Sequence, residues 1–287
     1  MGKKGKPTRR QSHSLRDFLI INSQKDTAGR NILQRIIENY KFTKTEKTFD
    51  SLPVYSYENV LLASSEQEVI NVGAELDLAF ESNDIRYIFV SKHRAESQIP
   101  SLTAHFTGNF SSNDFGGNPA EISKYSPSIL KNYLLALNSL MDELPKQYSI
   151  TLEATHHGPT ALRRPSMFVE LGSSPEQWQD KKAALCIAKA LMATLRTDRQ
   201  YEKCAIALGG THYPEKFNKL ILETDIALGV IVPKYALESI NENLLSQILE
   251  KSEDKITIAV LDKKGLGKNK TRISELVSTF GLEILKI

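Results

Sequence analysis

The sequence predicts an α/β fold. Short apolar runs rich in β-branched residues alternate with longer segments of helical period, and several of the runs lead into polar phrases rich in Gly, Thr and Pro. With 40% hydrophobic residues in 287, the chain can bury a core as one large α/β domain or two smaller ones. No repeat of fixed period is present.

Residues 18–22 read as a first strand, followed by a helix over 26–39 in which Ile32, Leu33, Ile36 and Ile37 form one apolar stripe. Strands are predicted at 60–63 and 87–90, with a helical segment at 68–80 between them. Residues 92–125 have little periodicity and many Gly, Asn, Ser and Pro residues, the composition of a long functional loop. An amphipathic helix at 128–144 precedes a strand at 148–154. A helix over 175–196 follows, with Ser174 placed to cap its start. Strands at 203–208, 226–232 and 256–261 are separated after the second by a helix at 236–251. A helix at 271–280 and a short strand at 282–285 end the chain.

The formal charge is only +3, from 37 basic and 34 acidic residues, but it is unevenly spread. Lys3, Lys4, Lys6, Arg9 and Arg10 stand without an acid in the first ten residues. Such an arm can touch phosphates or serve as a solvated terminus. A second cluster, Lys263, Lys264, Lys268, Lys270 and Arg272, surrounds Gly265-Leu266-Gly267. Cys186 and Cys204 form no CxxC pair and read as small core residues in a reducing compartment. No apolar run approaches the roughly 20 residues that cross a bilayer, so a soluble, cytoplasmic protein is expected.

Five of the six histidines fall in polar phrases. These are Ser91-Lys92-His93-Arg94, running on to His105-Phe106-Thr107-Gly108-Asn109; Glu153-Ala154-Thr155-His156-His157-Gly158-Pro159; and Gly209-Gly210-Thr211-His212-Tyr213-Pro214. His13 lies in the polar tail and is set aside. Ligands of open α/β sheets bind beyond the carboxyl ends of the strands, so the phrases at 91, 153 and 209 are expected to share one site.

Neutral imidazole is the commonest metal ligand and exchanges protons near neutrality. Three or four histidines with Glu153 suffice for a zinc site with an open position. The spacing is not HExxH, and Glu153 and His156 face one pocket only if Gly158-Pro159 turns the chain. A lone loop histidine is more often solvated or structural than a ligand, whereas the pair His156-His157 has no packing rationale. His93, between Lys92 and Arg94, reads as an anion contact or a ligand. Gly209-Gly210 either lets backbone N–H groups approach a ligand or makes a plain tight turn. Gly265-Leu266-Gly267-Lys268 lacks the GxxxxGK[ST] spacing, which leaves Lys268 a candidate contact for a phosphate or carboxylate.

Taken in order, these phrases, with Leu102-Thr103-Ala104 before His105 and with Glu170-Leu171-Gly172-Ser173-Ser174, resemble the archaeal and plant type of D-aminoacyl-tRNA deacylase over nearly the whole chain. The resemblance implies a single three-layer α/β/α domain over 14–287 with a mixed sheet, related to phosphorylase and peptidyl-tRNA hydrolase folds, behind a basic flexible tail at 1–13. It also implies zinc dependence, with the number of ions open, and a monomer that hydrolyses the ester between a D-amino acid and the 3′-terminal adenosine of tRNA. On this resemblance the metal ligands come from His105, His156, His157 and His212, and the catalytic set is Glu153, His156, His157 and His212. Substrate contacts fall to His93, Arg94, Gly209, Gly210, Thr211 and Lys268. The same histidines could instead hold the terminal ribose and amino acid without an ion. Two other classes stand beside this one: a nucleoside phosphorylase or hydrolase, and a non-catalytic tRNA-binding protein.

Overall fold

A computed structural model describes residues 17–82 and 84–287; the basic arm and His13 lie outside the described residues. The strand β1 (Asp17–Ser23) is buried along Phe18–Ser23, and α1 (Thr27–Asn39) returns across it. Asp26 caps α1 by accepting from the Gly29 amide at 2.9 Å, and its other oxygen accepts from the Lys92 amide at 2.9 Å. One carboxylate thus fixes the helix start against a neighbouring strand. Gly29 is required there, because a Cβ would lie 2.5 Å from the Val90 carbonyl oxygen.

The succession continues with β2 (Thr43–Phe49), β3 (Leu52–Tyr57), β4 (Val60–Ser65), α2 (Ala74–Ala79), β5 (Ile85–Lys92), β6 (Ser101–His105), β7 (Gly108–Asn109), β8 (Glu121–Ile122), α3 (Pro127–Asn138), β9 (Ser149–Leu152) and β10 (Ser166–Leu171). It ends with α4 (Pro175–Trp178), α5 (Lys181–Thr194), β11 (Cys204–Gly210), α6 (Glu215–Glu223), β12 (Ala227–Pro233), α7 (Glu242–Glu250), β13 (Ile256–Leu261), α8 (Lys270–Thr279) and β14 (Glu283–Lys286). Eight strands form a mixed sheet in the order β2-β3-β4-β1-β5-β10-β6-β9. Four form a wholly parallel sheet, β12-β11-β13-β14, and β7 pairs with β8.

Alternation along the central strands divides the large sheet into two buried faces. Phe18, Ile20, Ile88, Val90, Met167 and Val169 join a core shared with α1, α3, α5 and the strands of the parallel sheet. Leu19, Ile21, Tyr87, Phe89 and Phe168 join a smaller core with α2, Val69 and Val72 on the opposite face. The protein is therefore a mixed α/β fold whose large sheet is flanked by helices.

Several boundaries differ from the sequence reading. The segment at 92–125 is no plain loop, since it contains β6, an interior strand of the large sheet. The helix expected at 68–80 is a 3₁₀ turn, Val69–Asn71, followed by the short α2. The helix at 175–196 breaks after Trp178, and Asp180 caps α5 by accepting from the Lys182 and Ala183 amides. Ser174 occupies the cap position of α4 without capping it, its hydroxyl being turned to Glu176. A 3₁₀ segment, Lys234–Ser239, replaces the start of the helix expected at 236–251. No described helix is long and apolar enough to cross a membrane.

Candidate active site

The site occupies the face of the large sheet that carries the smaller core. Register places Ser91, Glu170 and Thr103 side by side on β5, β10 and β6, and Phe168 beside His105. Phe89 and Phe168 stack at the apolar end of this face, with centroids 4.8 Å apart, and two residues further along each strand Ser91 and Glu170 replace them. The apolar row becomes a polar row by simple alternation.

The three phrases do converge, though not at a common edge. β6 runs antiparallel to β10, which is parallel to β5, while β9 is parallel to β6. The carboxyl ends of β5 and β9 therefore point in opposite directions. The segment after β9 crosses to the parallel sheet, where the Thr155 amide donates to Ile231 and the Ala154 amide donates to His212. These bonds bring the turn after β11 over the face, and the site lies in the seam between the two sheets.

Three imidazoles are each held by a backbone carbonyl at Nδ1. Nδ1 of His105 lies 3.1 Å from the Phe106 carbonyl, Nδ1 of His156 lies 2.8 Å from that of Ala154, and Nδ1 of His157 lies 2.6 Å from that of Gly158. A carbonyl only accepts, so each Nδ1 carries a proton and each ring turns Nε2 away from the backbone. Burial opposes a charge on His105, but Glu170 and Glu153 prevail and raise it above the usual histidine value. The rings are mutually close, with centroids 4.2 Å apart for His105 and His156 and 4.4 Å for His156 and His157. Burial, reinforced by His105 and His157, holds His156 well below the usual histidine range. Burial and His105 bring His157 down to about 4, so both rings are neutral at physiological pH. Nε2 of His105 is buried without a hydrogen-bond partner, the nearest carboxylate oxygen, on Glu170, being 3.8 Å away.

Two buried carboxylates face these rings. Oε2 of Glu153 lies 3.1 Å from Nε2 of His212, whose Nδ1 is 3.1 Å from the Tyr235 hydroxyl. Nδ1 of His93 bridges Oε1 of Glu153 at 3.1 Å and Oε2 of Glu170 at 3.3 Å. Burial opposes a charge on His93, but the carboxylates of Glu153 and Glu170 beside it prevail and lift it to about 10. Against the same burial, His212 and His93 hold Glu153, and His105 and His93 hold Glu170, well below the carboxylate range. Ser91 donates to Glu170 at 2.7 Å, and the Tyr213 hydroxyl lies 3.2 Å from Nε2 of His93. Among the described residues, three groups could hold a metal ion, with ligand atoms within 4.8 Å of one another: His105, His156 and His157; Glu153, His156 and His212; and His93, Glu153 and Glu170.

A family model described as D-aminoacyl-tRNA deacylase matches residues 80–285, which include every one of these groups. The D-aminoacyl-tRNA deacylase of Pyrococcus furiosus is 34% identical over 272 residues, covering 93% of this chain and 99% of that protein. That of Cenarchaeum symbiosum is 41% identical over 201 residues, covering 69% and 76%. The chain belongs to the D-aminoacyl-tRNA deacylase family. Among solved structures, the crystal structure of a conserved protein of unknown function, AF0625, superposes on this deacylase-family fold with a TM-score of 0.87 at 29% identity, covering 94% of this chain and 95% of that one.

Within this family member, His93, His105, Glu153, His156, His157 and His212 lie together in one cluster. Other candidates do not enter the cluster. Gly209 has φ +104°, and Gly265 packs so closely that a Cβ on it would lie 1.6 Å from the Gly209 carbonyl oxygen. A Cβ on Gly210 would meet Phe217 at 2.8 Å and Pro214 at 2.9 Å. Both glycines end β11 itself and shape the turn that follows. Thr211 donates to the Tyr213 carbonyl at 2.6 Å, and Lys268 pairs with Glu238 at 2.6 Å on the surface. Arg94 lines a separate cleft with Pro175 and Trp178. Sequence reasoning missed Glu170 as a site residue, together with the hydroxyl groups of Tyr213 and Tyr235. The signal for Glu170 was alternation: Met167, Val169 and Leu171 point to one face, leaving an acid on the other.

Proposed function

We propose that the protein hydrolyses the ester between a D-amino acid and the 3′-terminal adenosine of tRNA, acting in the cytoplasm as a single-domain monomer. One observation carries the reading: in a chain of this family, three imidazoles fixed through Nδ1 bring ligand atoms within 4.8 Å of one another beside two ionised, buried carboxylates. The orphaned Nε2 of His105 fits a metal ligand, as does fixation of each ring through Nδ1. His105, His156 and His157 would hold Zn²⁺, and His212 belongs to the alternative group with Glu153 and His156. Bound zinc supplies Lewis acidity and lowers the pKa of its water towards 7.

The protein's own groups do the rest. Glu153 accepts a hydrogen bond from the attacking water and orients it, and His212 shares the proton on its way to the leaving 3′-oxygen. Charged His93 donates from both nitrogens, keeping Glu153 and Glu170 ionised and making the Tyr213 oxygen an acceptor. The Tyr213 proton is then free to donate to the carbonyl oxygen, and that hydroxyl, pushed up to about 12 by burial and by Glu153 and Glu170, stays protonated.

The test is release of tyrosine from D-Tyr-tRNA and L-Tyr-tRNA, before and after chelation and after zinc is restored. Release from the D ester alone, lost on chelation and regained with zinc, is the expected result. Release of a free base from nucleosides, or RNA binding without ester turnover, would replace this reading with one of the two alternatives.

A further inference from the structure

The cleft over the histidines has a volume of about 310 Å³ and is lined by His156, His157, His212, Phe115 and Tyr235. Phe115 and Tyr235 are 69% and 63% exposed, among the most solvent-exposed large apolar side chains described. An exposed aromatic ring is ordinary when mobile and solitary, but these two rings share one cleft and are anchored. The Phe115 carbonyl accepts from the Gly158 amide at 3.0 Å. Asn109 donates to the Gly116 and Asn118 carbonyls at 2.8 and 3.0 Å, and a Cβ on Gly158 would meet the Gly117 nitrogen at 2.3 Å. A tightly packed loop therefore holds a phenyl ring in water beside the site. Tyr235 is held through its hydroxyl by His212.

The chemistry limits what these rings can serve. The ester to be cut sits on the ribose, so the base lies one sugar away from the scissile carbonyl. Amino acid and nucleoside leave that carbonyl in different directions, and a second cleft, of about 660 Å³, opens where His93 and Tyr213 line its wall. Flat aromatic rings at an open rim suit a planar base that remains attached to a macromolecule outside. We propose that Phe115 and Tyr235 stack on the purine of the terminal adenosine, seating the nucleoside half of the substrate while the aminoacyl half turns away from this cleft. The proposal rests on the deacylase reading above.

The experiment measures KM and kcat on D-Tyr-tRNA and D-Ala-tRNA, together with calorimetric binding of adenosine 5′-monophosphate, for the zinc-loaded wild type, Phe115→Ala, Phe115→Trp, Tyr235→Phe and Tyr235→Ala. Loss of one stacking ring raises KM about 5- to 150-fold. For Phe115→Ala the rise is the same with both amino acids, kcat changes little, and nucleotide binding weakens by a similar factor; Phe115→Trp restores both. Tyr235→Ala weakens nucleotide binding, whereas Tyr235→Phe, which keeps the ring and loses the contact to His212, leaves it intact. A KM rise confined to D-Tyr-tRNA would assign the rings to the amino acid and overturn the proposal, as would unchanged nucleotide binding. If the wild type releases no amino acid, the deacylase reading fails. The nucleotide titration then decides the stacking by itself: weaker binding by Phe115→Ala upholds it, and equal binding refutes it.

Discussion

Asp254 and Lys131 are buried, as Glu153 and His105 are, yet the two pairs are treated in opposite ways by the fold. Lys131 donates its three protons to the carbonyls of Ile221, Thr224 and Ile226 at 2.6, 2.6 and 3.0 Å, closing the end of α6. Asp254 accepts from the Ser128 hydroxyl and amide and from the Ser126 hydroxyl at 2.7, 3.0 and 2.9 Å, holding the start of α3. Nothing is left over for a ligand. In the seam between the sheets, by contrast, the rings are fixed from behind through Nδ1, and Nε2 of His105 has no hydrogen-bond partner. A buried polar group whose valence is complete builds the fold; one oriented but incomplete is available for chemistry.

The sharpest way to break this comparison is to truncate one member on each side. His105→Ala should lower kcat/KM by about 1000-fold and reduce bound zinc, with the folded state retained, as read by tyrosine release and metal analysis. Asp254→Ala should do the reverse. It leaves two hydroxyls and an amide unpaired and should cost about 3 kcal/mol in urea melts, while folded molecules keep normal activity.

The pH dependence of the metal-free protein separates the site further. His157 has a folded value of about 4, below its unfolded 6.5, so the unfolded chain binds more protons between those values and stability falls as pH drops through that window. His93, lifted to about 10, acts in the opposite sense: its contribution is complete below 6.5 and is lost as pH rises towards 10. Urea melts should therefore show maximal stability near pH 6.5. His157→Asn should flatten the acid side by about 2 kcal/mol, and His93→Asn the alkaline side. The smallest effect belongs to Tyr213→Phe, which removes one donor: kcat should fall about 10-fold with nearly unchanged zinc content, and a larger loss of zinc than of rate would contradict its role as a donor.

Much of this was legible in the sequence, and the losses have a common cause. β1, β4, β5, β11, β12 and β13 are dense apolar runs that stand out without knowledge of their neighbours. β6 and β10 do not, because their second face is the site. Leu102, Ala104 and Phe106 face the core while Thr103 and His105 face the seam, so a buried strand has the composition of a polar loop. β2 was hidden for the opposite reason, since Thr43–Thr48 is largely exposed at the sheet margin. The histidine phrases were recognisable as one site because each interrupts an apolar run. Glu170 was not, because its strand was read as the approach to a helix.

The contact between Gly209 and Gly265 has a consequence for how the sequence can change. The first lies at the end of the strand that leads to His212, and the second belongs to the loop after β13. With 1.6 Å between a Cβ at 265 and the Gly209 carbonyl oxygen, even a single methyl group must pry that strand end aside. The two positions are thus one heritable unit. A substitution in a surface loop that touches no substrate would be inherited as a defect in proton transfer, and its suppressors should map to the backbone around 209 and not to the histidines.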